Sequence, residues 1–513
     1  MTLRTLLDPV EASEVHGSLD VEIGGIAYDS RRVRPGDAFF ALSGARLEGA
    51  TFARQALDAG AVALVVGDDV AADGATVVRV VEPRRALALA AARFHGEPDR
   101  ALKIVAITGT NGKTTTTYLL ESIFRAAGWT SGLIGTTGVH LGDERRPAAL
   151  TTPESLELQA LLAEMRDRGV SAVALEISSH ALVQRRAYGL ACDVKVFTNL
   201  SHDHLDYHGT MEAYRDAKEM LFDGRNDAER SKRGAAAIHV DDPAAAEFEA
   251  AARRGGLEIL RYRGEPGGAT PALAVEVTAI DPRADGLDLE LRLAGEPWPA
   301  APLGATAART VFVRLPMLGR YNAANAAAAF AAAGALGLPA ETIVRGLESV
   351  AGVPGRLERV PGRAPFAVVV DYAHTPDALA RSLAAVREHA AGRVLLVFGC
   401  GGDRDRAKRP EMGRVAVERA DRVWITNDNP RGEDPAAIAR AIEAGMGARS
   451  REVELDRRRA IARALDAARA GDVVLIAGKG HETTQTIGDR VLPFDDRRVA
   501  AELLASGAAG AGR

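Results

Sequence analysis

Cysteine is almost missing: two stand in 513 residues, and Cys192 and Cys400 lie far apart without the spacing of metal ligands. A disulfide framework is therefore excluded, and a reducing, cytoplasmic setting is expected. An excess of positive charge is missing too, since 64 Lys and Arg face 69 Asp and Glu for a formal net charge of -5. Without a basic field, nucleic acid is not an expected partner. Long hydrophobic runs are absent as well. The most apolar stretch, residues 323–338, is mainly alanine and reads as a buried helix too weakly hydrophobic to span a bilayer, so no membrane partner is expected. Residues 1–14 show no basic region followed by an apolar core, hence no signal peptide is read there.

What is present is length, which exceeds one core and predicts about three domains: residues 1–100, 101–351 and 352–513. The chain is organised around Lys103-Ile-Val-Ala-Ile-Thr-Gly109-Thr110-Asn111-Gly112-Lys113-Thr114-Thr115, where an apolar β-branched run passes through a glycine turn into a helix-spaced segment. Such a loop can turn the N–H groups of residues 109–114 around phosphate oxygens, where unpaired donors and the helix dipole both favour an anion. Lys113 would neutralise the β- and γ-phosphates, and Thr114 would offer a hydroxyl to Mg²⁺. Ile107 replaces the first glycine of the longer P-loop pattern, leaving the tighter G-x-x-G-K-T. An incidental lysine after a glycine turn is the alternative, but the strand before it and the threonines after it favour a nucleotide site.

In the first unit, a polar loop with Tyr28, Ser30 and Arg31 precedes a Pro-Gly turn and a strand ending Phe39-Phe40. Ser30 and Arg31 are read first as a cap or turn ion pair and second as an anion site. In the second unit, Thr151 and Thr152 precede a helix marked by Pro153 and Glu154, and Glu176 ends a strand where an acid can serve Mg²⁺. His202, Asp203, His204, Asp206 and His208 could by spacing form a zinc-hydrolase cluster, but the phosphate cradle upstream favours one histidine beside Mg²⁺. Lys218, on a helix, ordinarily reads as a solvated cation. Residues 235–313 turn β-rich, with Leu287, Leu289, Leu291 and Leu293 alternating with polar residues. Asn322 and Asn325 could cap the alanine-rich helix or meet a base edge.

The third unit alternates strand and helix. Polar clusters follow its strands at Asp371, at Gly402-Asp403-Arg404, at Asp428-Asn429-Pro430-Arg431 and at Gly478-Lys479-Gly480-His481-Glu482. In an open parallel sheet, loops at the carboxyl ends form the ligand site.

Taken in order, these motifs resemble the Mur ligase family, and within it the branch that adds diaminopimelate. The resemblance runs through Asp29-Ser-Arg, Gly109-Thr-Asn-Gly-Lys-Thr-Thr, Thr151-Thr-Pro-Glu, Glu176-Ile-Ser-Ser-His, Asp203-His-Leu-Asp-Tyr-His-Gly, Tyr214-Arg-Asp-Ala-Lys, Asp428-Asn-Pro-Arg and Gly478-Lys-Gly-His-Glu, covering nearly the whole chain. It implies an α/β protein with an N-terminal UDP-binding domain, a central P-loop ATP-binding domain carrying a parallel sheet plus a β-rich part, and a C-terminal Rossmann-like domain. The implied activity is ATP-dependent joining of meso-diaminopimelate to UDP-N-acetylmuramoyl-L-alanyl-D-glutamate by a monomer, with Mg²⁺ as cofactor. The resemblance assigns Tyr28, Ser30, residues 45–47, Thr151, Thr152, Ser178, Gln184 and Arg186 to the UDP-muramoyl-dipeptide, and Asn322, Asn325, Arg356 and Asp371 to ATP. Thr114, Glu176, His204 and Lys218 go to Mg²⁺, the lysine as a carbamate. The amino acid falls to Arg404, Asp428, Asn429, Pro430, Arg431, Gly478 and Glu482. His202 departs from the family, which usually has arginine there. A lysine-adding relative, a folylpolyglutamate synthetase-like ligase and a P-loop protein using ATP only as a switch are the alternatives.

Overall fold

The computed structural model describes residues 1–42, 52–67, 74–228, 232–268, 273–283, 285–294 and 308–506. Residues 45–47 lie outside that set. The described residues build three main sheets, each with its own core.

The central sheet is built around buried apolar strands. Lys103–Thr108 is buried from Ile104 onward, as a strand covered on both faces must be. Eleven strands lie in the order Arg309–Leu315, Gly286–Leu293, Leu273–Arg283, Glu258–Arg263, Ala235–His239, Val194–Phe197, Lys103–Thr108, Ala172–Glu176, Ser131–Gly135, Gly138–Leu141, Glu144–Arg146. Pairing is parallel from Leu273–Arg283 through Ser131–Gly135 and antiparallel at both margins. Alternate residues of Lys103–Thr108 serve opposite cores: Val105 and Ile107 pack with Leu119, Phe124 and Phe330, whereas Ile104 and Ala106 pack with Leu162, Leu175 and Phe222. The helix Asn322–Ala335 is buried almost throughout, its alanines letting it lie close to the sheet. The leucine alternation appears in Gly286–Leu293, where Leu287, Leu289, Leu291 and Leu293 are inside.

The first sheet has the order Ala12–His16, Thr76–Val80, Ala63–Val66, Asp37–Phe40, Gly25–Ala27, parallel except at Ala12–His16. The third has the order Glu358–Arg359, Ala367–Asp371, Val473–Ala477, Val394–Phe398, Arg422–Ile425, Glu452–Val453, parallel except at Glu358–Arg359. Because these strands run the same way, Asp371, Phe398, Ile425 and Ala477 all end at one rim. Among the described residues, no helix is long and apolar enough to cross a membrane.

Candidate active site

The phosphate cradle is shaped by what its glycines allow. Gly109 and Gly112 have φ of 146° and 89°, values a side chain disfavours. A Cβ at Gly109 would run into Thr198 Oγ1, and one at Gly112 into Asn325 Oδ1. The loop is braced by Asn199: the Thr110 N–H donates to its carbonyl at 2.8 Å and the Asn111 N–H to its Oδ1 at 2.9 Å. Those two amides are therefore spent on the fold, which corrects the expectation that the whole run of N–H groups wraps an anion. Lys113 Nζ donates to the carbonyls of Gly109 at 2.7 Å and Thr110 at 2.9 Å.

Glu176 is fully buried at the end of its strand and faces Lys113. Its Oε1 accepts from the Thr136 N–H at 2.9 Å and its Oε2 from Thr136 Oγ1 at 3.1 Å. Lys218 is the chief departure from what its residue type suggests. Its side chain is 1% exposed, Nζ donates to the Gly109 carbonyl at 2.9 Å, and the ammonium sits 4.4 Å from the Tyr214 ring centroid. Burial, with Lys113 adding repulsion, holds its amine well below the ordinary lysine range. His204 adopts φ of 54°, with Nε2 3.5 Å from Asp203 Oδ2. Withdrawal from water among the cleft walls pushes its imidazole down to about 4. Among the described residues no three His, Cys, Asp or Glu side chains converge to hold a metal ion, so the histidine-rich segment lacks the zinc-hydrolase geometry.

Beside the cradle lies a cavity of about 270 Å³ lined by Asn111, Thr114, His239, Asn325, Arg356 and Asp371, among others. Asn322 Nδ2 donates to the Leu318 carbonyl at 2.7 Å and Asn325 Nδ2 to Asn322 Oδ1 at 2.8 Å, so Asn322 braces Asn325, which lines the cavity. Asp371 accepts from the N–H groups of Leu357 at 2.8 Å and Ala373 at 2.9 Å and from Ser382 Oγ at 2.9 Å.

On the other side, Tyr28 OH donates to Glu157 at 2.9 Å, Ser30 Oγ to Gln55 at 2.9 Å, and Arg31 pairs with Asp29 at 2.7 Å, the turn ion pair expected for it. Thr151 and Thr136 share a hydroxyl hydrogen bond of 3.1 Å. Thr152 Oγ1 is fully engaged, donating to the Glu176 carbonyl at 2.8 Å and accepting from the Ser178 N–H at 3.1 Å. Ser178 Oγ accepts from the Ala181 N–H at 3.1 Å, capping a short helix. Arg186 joins Gln184 at 2.5 Å, the Thr152 carbonyl at 3.2 Å and Glu154 at 3.1 Å. His202 is exposed.

The third-domain rim comes onto this site. Arg356 Nη2 donates to Thr114 Oγ1 at 3.4 Å, and Asn111 Nδ2 to Asp377 Oδ2 at 3.2 Å. Within the rim, Arg431 has φ of 51° and donates to the Gly402 carbonyl at 2.8 Å, while Arg404 reaches the Asp403 carbonyl at 3.2 Å. A Cβ at Gly402 would meet the Pro430 carbonyl, so these two loops are packed backbone to backbone. Asn429 Nδ2 donates to Glu482 at 2.7 Å, and buried Lys479 donates to both Asn429 Oδ1 at 3.2 Å and Glu482 at 2.9 Å. A Cβ on Gly478 would come within 2.5 Å of Asp428 Oδ2. Asp428 is buried, and burial raises its carboxyl above the usual range. Thr136, Asn199 and Lys479 are functional neighbours that residue type alone does not reveal; Lys479 is flagged only by its place inside the glycine-rich rim loop.

Fold and site define an α/β P-loop enzyme of three domains, with a glycine cradle in the central one and a rim of paired charges in the third. Family models agree along the chain: Mur ligase family, catalytic domain, over residues 22–95; Mur ligase middle domain over 107–333; and Mur ligase, glutamate ligase domain, over 355–480. The chain belongs to the Mur ligase family. It is 44% identical over 505 residues to the UDP-N-acetylmuramoyl-L-alanyl-D-glutamate--2,6-diaminopimelate ligase of Geobacillus thermodenitrificans, covering 98% of both chains. The protein of the same name from Geobacillus kaustophilus is 45% identical, again over 98% of both. A solved structure of a ligase of that name superposes with a TM-score of 0.68 at 32% identity, covering 99% of each chain.

Proposed function

We propose that this protein is an ATP-dependent amide ligase that joins meso-diaminopimelate to UDP-N-acetylmuramoyl-L-alanyl-D-glutamate in the cytoplasm. The observation that carries the reading is the contact of the cradle with the third domain: Arg356 on Thr114 and Asn111 on Asp377 join the phosphate loop to the domain whose sheet bears the amino-acid loops. Near full-length likeness to diaminopimelate-adding ligases favours this reading over a lysine-adding or folylpolyglutamate one.

A carboxylate does not condense with an amine in neutral water because its oxygen is a poor leaving group. In the proposed reaction the D-glutamyl γ-carboxylate oxygen attacks the γ-phosphorus of ATP, the bond to the β-phosphate oxygen breaks, and ADP leaves. Lys113, released from the carbonyls it holds, neutralises the charge that spreads over the phosphoryl oxygens. The amine then attacks the acyl carbon, phosphate departs and the amine gives up a proton. Closure of the rim keeps water from the acyl phosphate. Asn325, Arg356 and Asp371 line the nucleotide cavity, while Thr151 and Arg186 face the dipeptide side.

The oxygen donors here fit Mg²⁺: Thr114 supplies a hydroxyl and Glu176 a buried carboxylate opposite Lys113, with His204 nearby. When bound, Mg²⁺ would draw negative charge from the phosphate oxygens. Lys218 is suited to carbamylation, because the nitrogen of a buried, unprotonated amine can attack the carbon of CO₂ and lose a proton, leaving an N-carboxylate anion. On the rim, Arg431 and Arg404 match carboxylates of the amino acid, and Asp428 with Glu482 matches its ammonium groups. ADP release measured with the amino acid varied tests the assignment. Strong dependence on the muramoyl-dipeptide and on meso-diaminopimelate is expected; equal turnover of L-lysine, or ADP release indifferent to both substrates, would overturn it.

A further inference from the structure

Arg457, at the start of the helix Arg457–Ala467, is a cation with its side chain fully out of water. It is held by Asp496, with Nε on Oδ1 at 2.8 Å and Nη2 on Oδ2 at 2.7 Å. The remaining donors leave that pair: Nη1 goes to the Asn427 carbonyl at 3.1 Å and Nη2 to the Ala477 carbonyl at 3.0 Å. Those carbonyls belong to the residues immediately before Asp428 and Gly478, the first residues of two amino-acid loops. A buried guanidinium must pair its remaining N–H groups with some acceptor, and the acceptors it takes set which parts of the fold the ion pair holds. This one fixes both strand ends, on loops so close that a Cβ on Gly478 would touch Asp428 Oδ2.

We propose that Arg457 is a positioning residue for the amino-acid substrate, clamping the two strand ends so that the Asp428 carboxylate and the Gly478 loop meet the incoming ammonium. The inference rests on the reading of the rim as the amino-acid site. Asp428 is 7% exposed, and among the described residues its side chain has no hydrogen-bond partner, which suits a group kept for a ligand. The charged groups facing it are the cations Arg457 and Lys479 and the acids Glu482 and Asp496, with Tyr372 and Cys400 also within its field. Arg457 favours its ionised form, and Asp496 opposes it.

Opposed influences make the clamp testable in a way that simple loosening is not. Kinetic constants for all three substrates are measured across pH for wild type, Arg457→Gln and Asp496→Asn. For Arg457→Gln, KM for meso-diaminopimelate is expected to rise about tenfold with KM for ATP nearly unchanged, and the acidic limb of kcat/KM for the amino acid to move up by about one pH unit. For Asp496→Asn, that limb is expected to move down. Should Arg457→Gln not fold, Asp496→Asn with Arg457→Lys carries the test. Limbs that move together or stay fixed, or a loss spread evenly over the three substrates, would overturn the clamp. Wild-type ADP release that ignores meso-diaminopimelate would instead overturn the rim assignment beneath it.

Discussion

Replacing Glu176 by glutamine separates what this carboxylate does for the fold from what it does for the reaction. In the folded chain its two oxygens accept from the N–H and hydroxyl of Thr136 at 2.9 and 3.1 Å. Glutamine keeps the first interaction through its carbonyl, and its amide can donate to the Thr136 hydroxyl, which accepts as readily as it donates. Volume is nearly unchanged and both Thr136 groups stay paired, with only the second amide N–H left without an acceptor, so the stability loss is expected to be about 1–3 kcal/mol. The charge, however, is lost next to half-buried Lys113, for which Glu176 is the foremost acidic neighbour. If Glu176 helps hold Mg²⁺ and balances Lys113, kcat should fall about 10²- to 10³-fold, roughly 3–4 kcal/mol of transition-state stabilisation. Thermal melting and steady-state ADP release on the same preparation give both quantities. A variant with wild-type melting and kcat within about threefold of wild type would refute the role given to this carboxylate.

Lys218→Met should be inactive, and it should also change the pH dependence of stability in carbonate-free buffer. Because the folded-state pKa of Lys218 lies below its ordinary value of 10.5, the unfolded chain binds the additional proton between those two points, so stability rises with pH across that window. Methionine should flatten the rise, read by denaturant unfolding at several pH values; an unchanged slope would mean that the amine is not held neutral. Arg431→Lys keeps the charge but loses the planar fork that now reaches the Gly402 carbonyl. KM for meso-diaminopimelate should increase about 10- to 100-fold, by analogy with losing a charge-assisted hydrogen bond of ~1.5–3 kcal/mol, while KM for ATP holds.

Much of this fold can be read from the chain because its parallel strands are short apolar runs bounded by glycine-rich turns. Val394–Phe398 and Val473–Ala477 fall where the apolar pattern puts them. The cradle is equally legible, since its glycines, lysine and threonines are consecutive. Partners distant in sequence are not. Lys218 looks like a surface cation, yet it is buried against Gly109, 109 residues earlier. Arg457 shows no local sign of its purpose, since Asp496 lies 39 residues further on and the carbonyls it holds lie 30 residues back and 20 residues further on. Hydroxyls mislead in the opposite sense. Thr152 and Ser178 stand in family motifs, but both are occupied by backbone groups here, and only tertiary contacts reveal that.

Transfer of oxygen is the most direct test of a phosphate-activated carboxyl group. With ¹⁸O in the γ-carboxylate of UDP-N-acetylmuramoyl-L-alanyl-D-glutamate, turnover with ATP and meso-diaminopimelate should deliver one labelled oxygen to each inorganic phosphate, detected by mass spectrometry. Unlabelled phosphate accompanying amide formation would contradict the acyl-phosphate route.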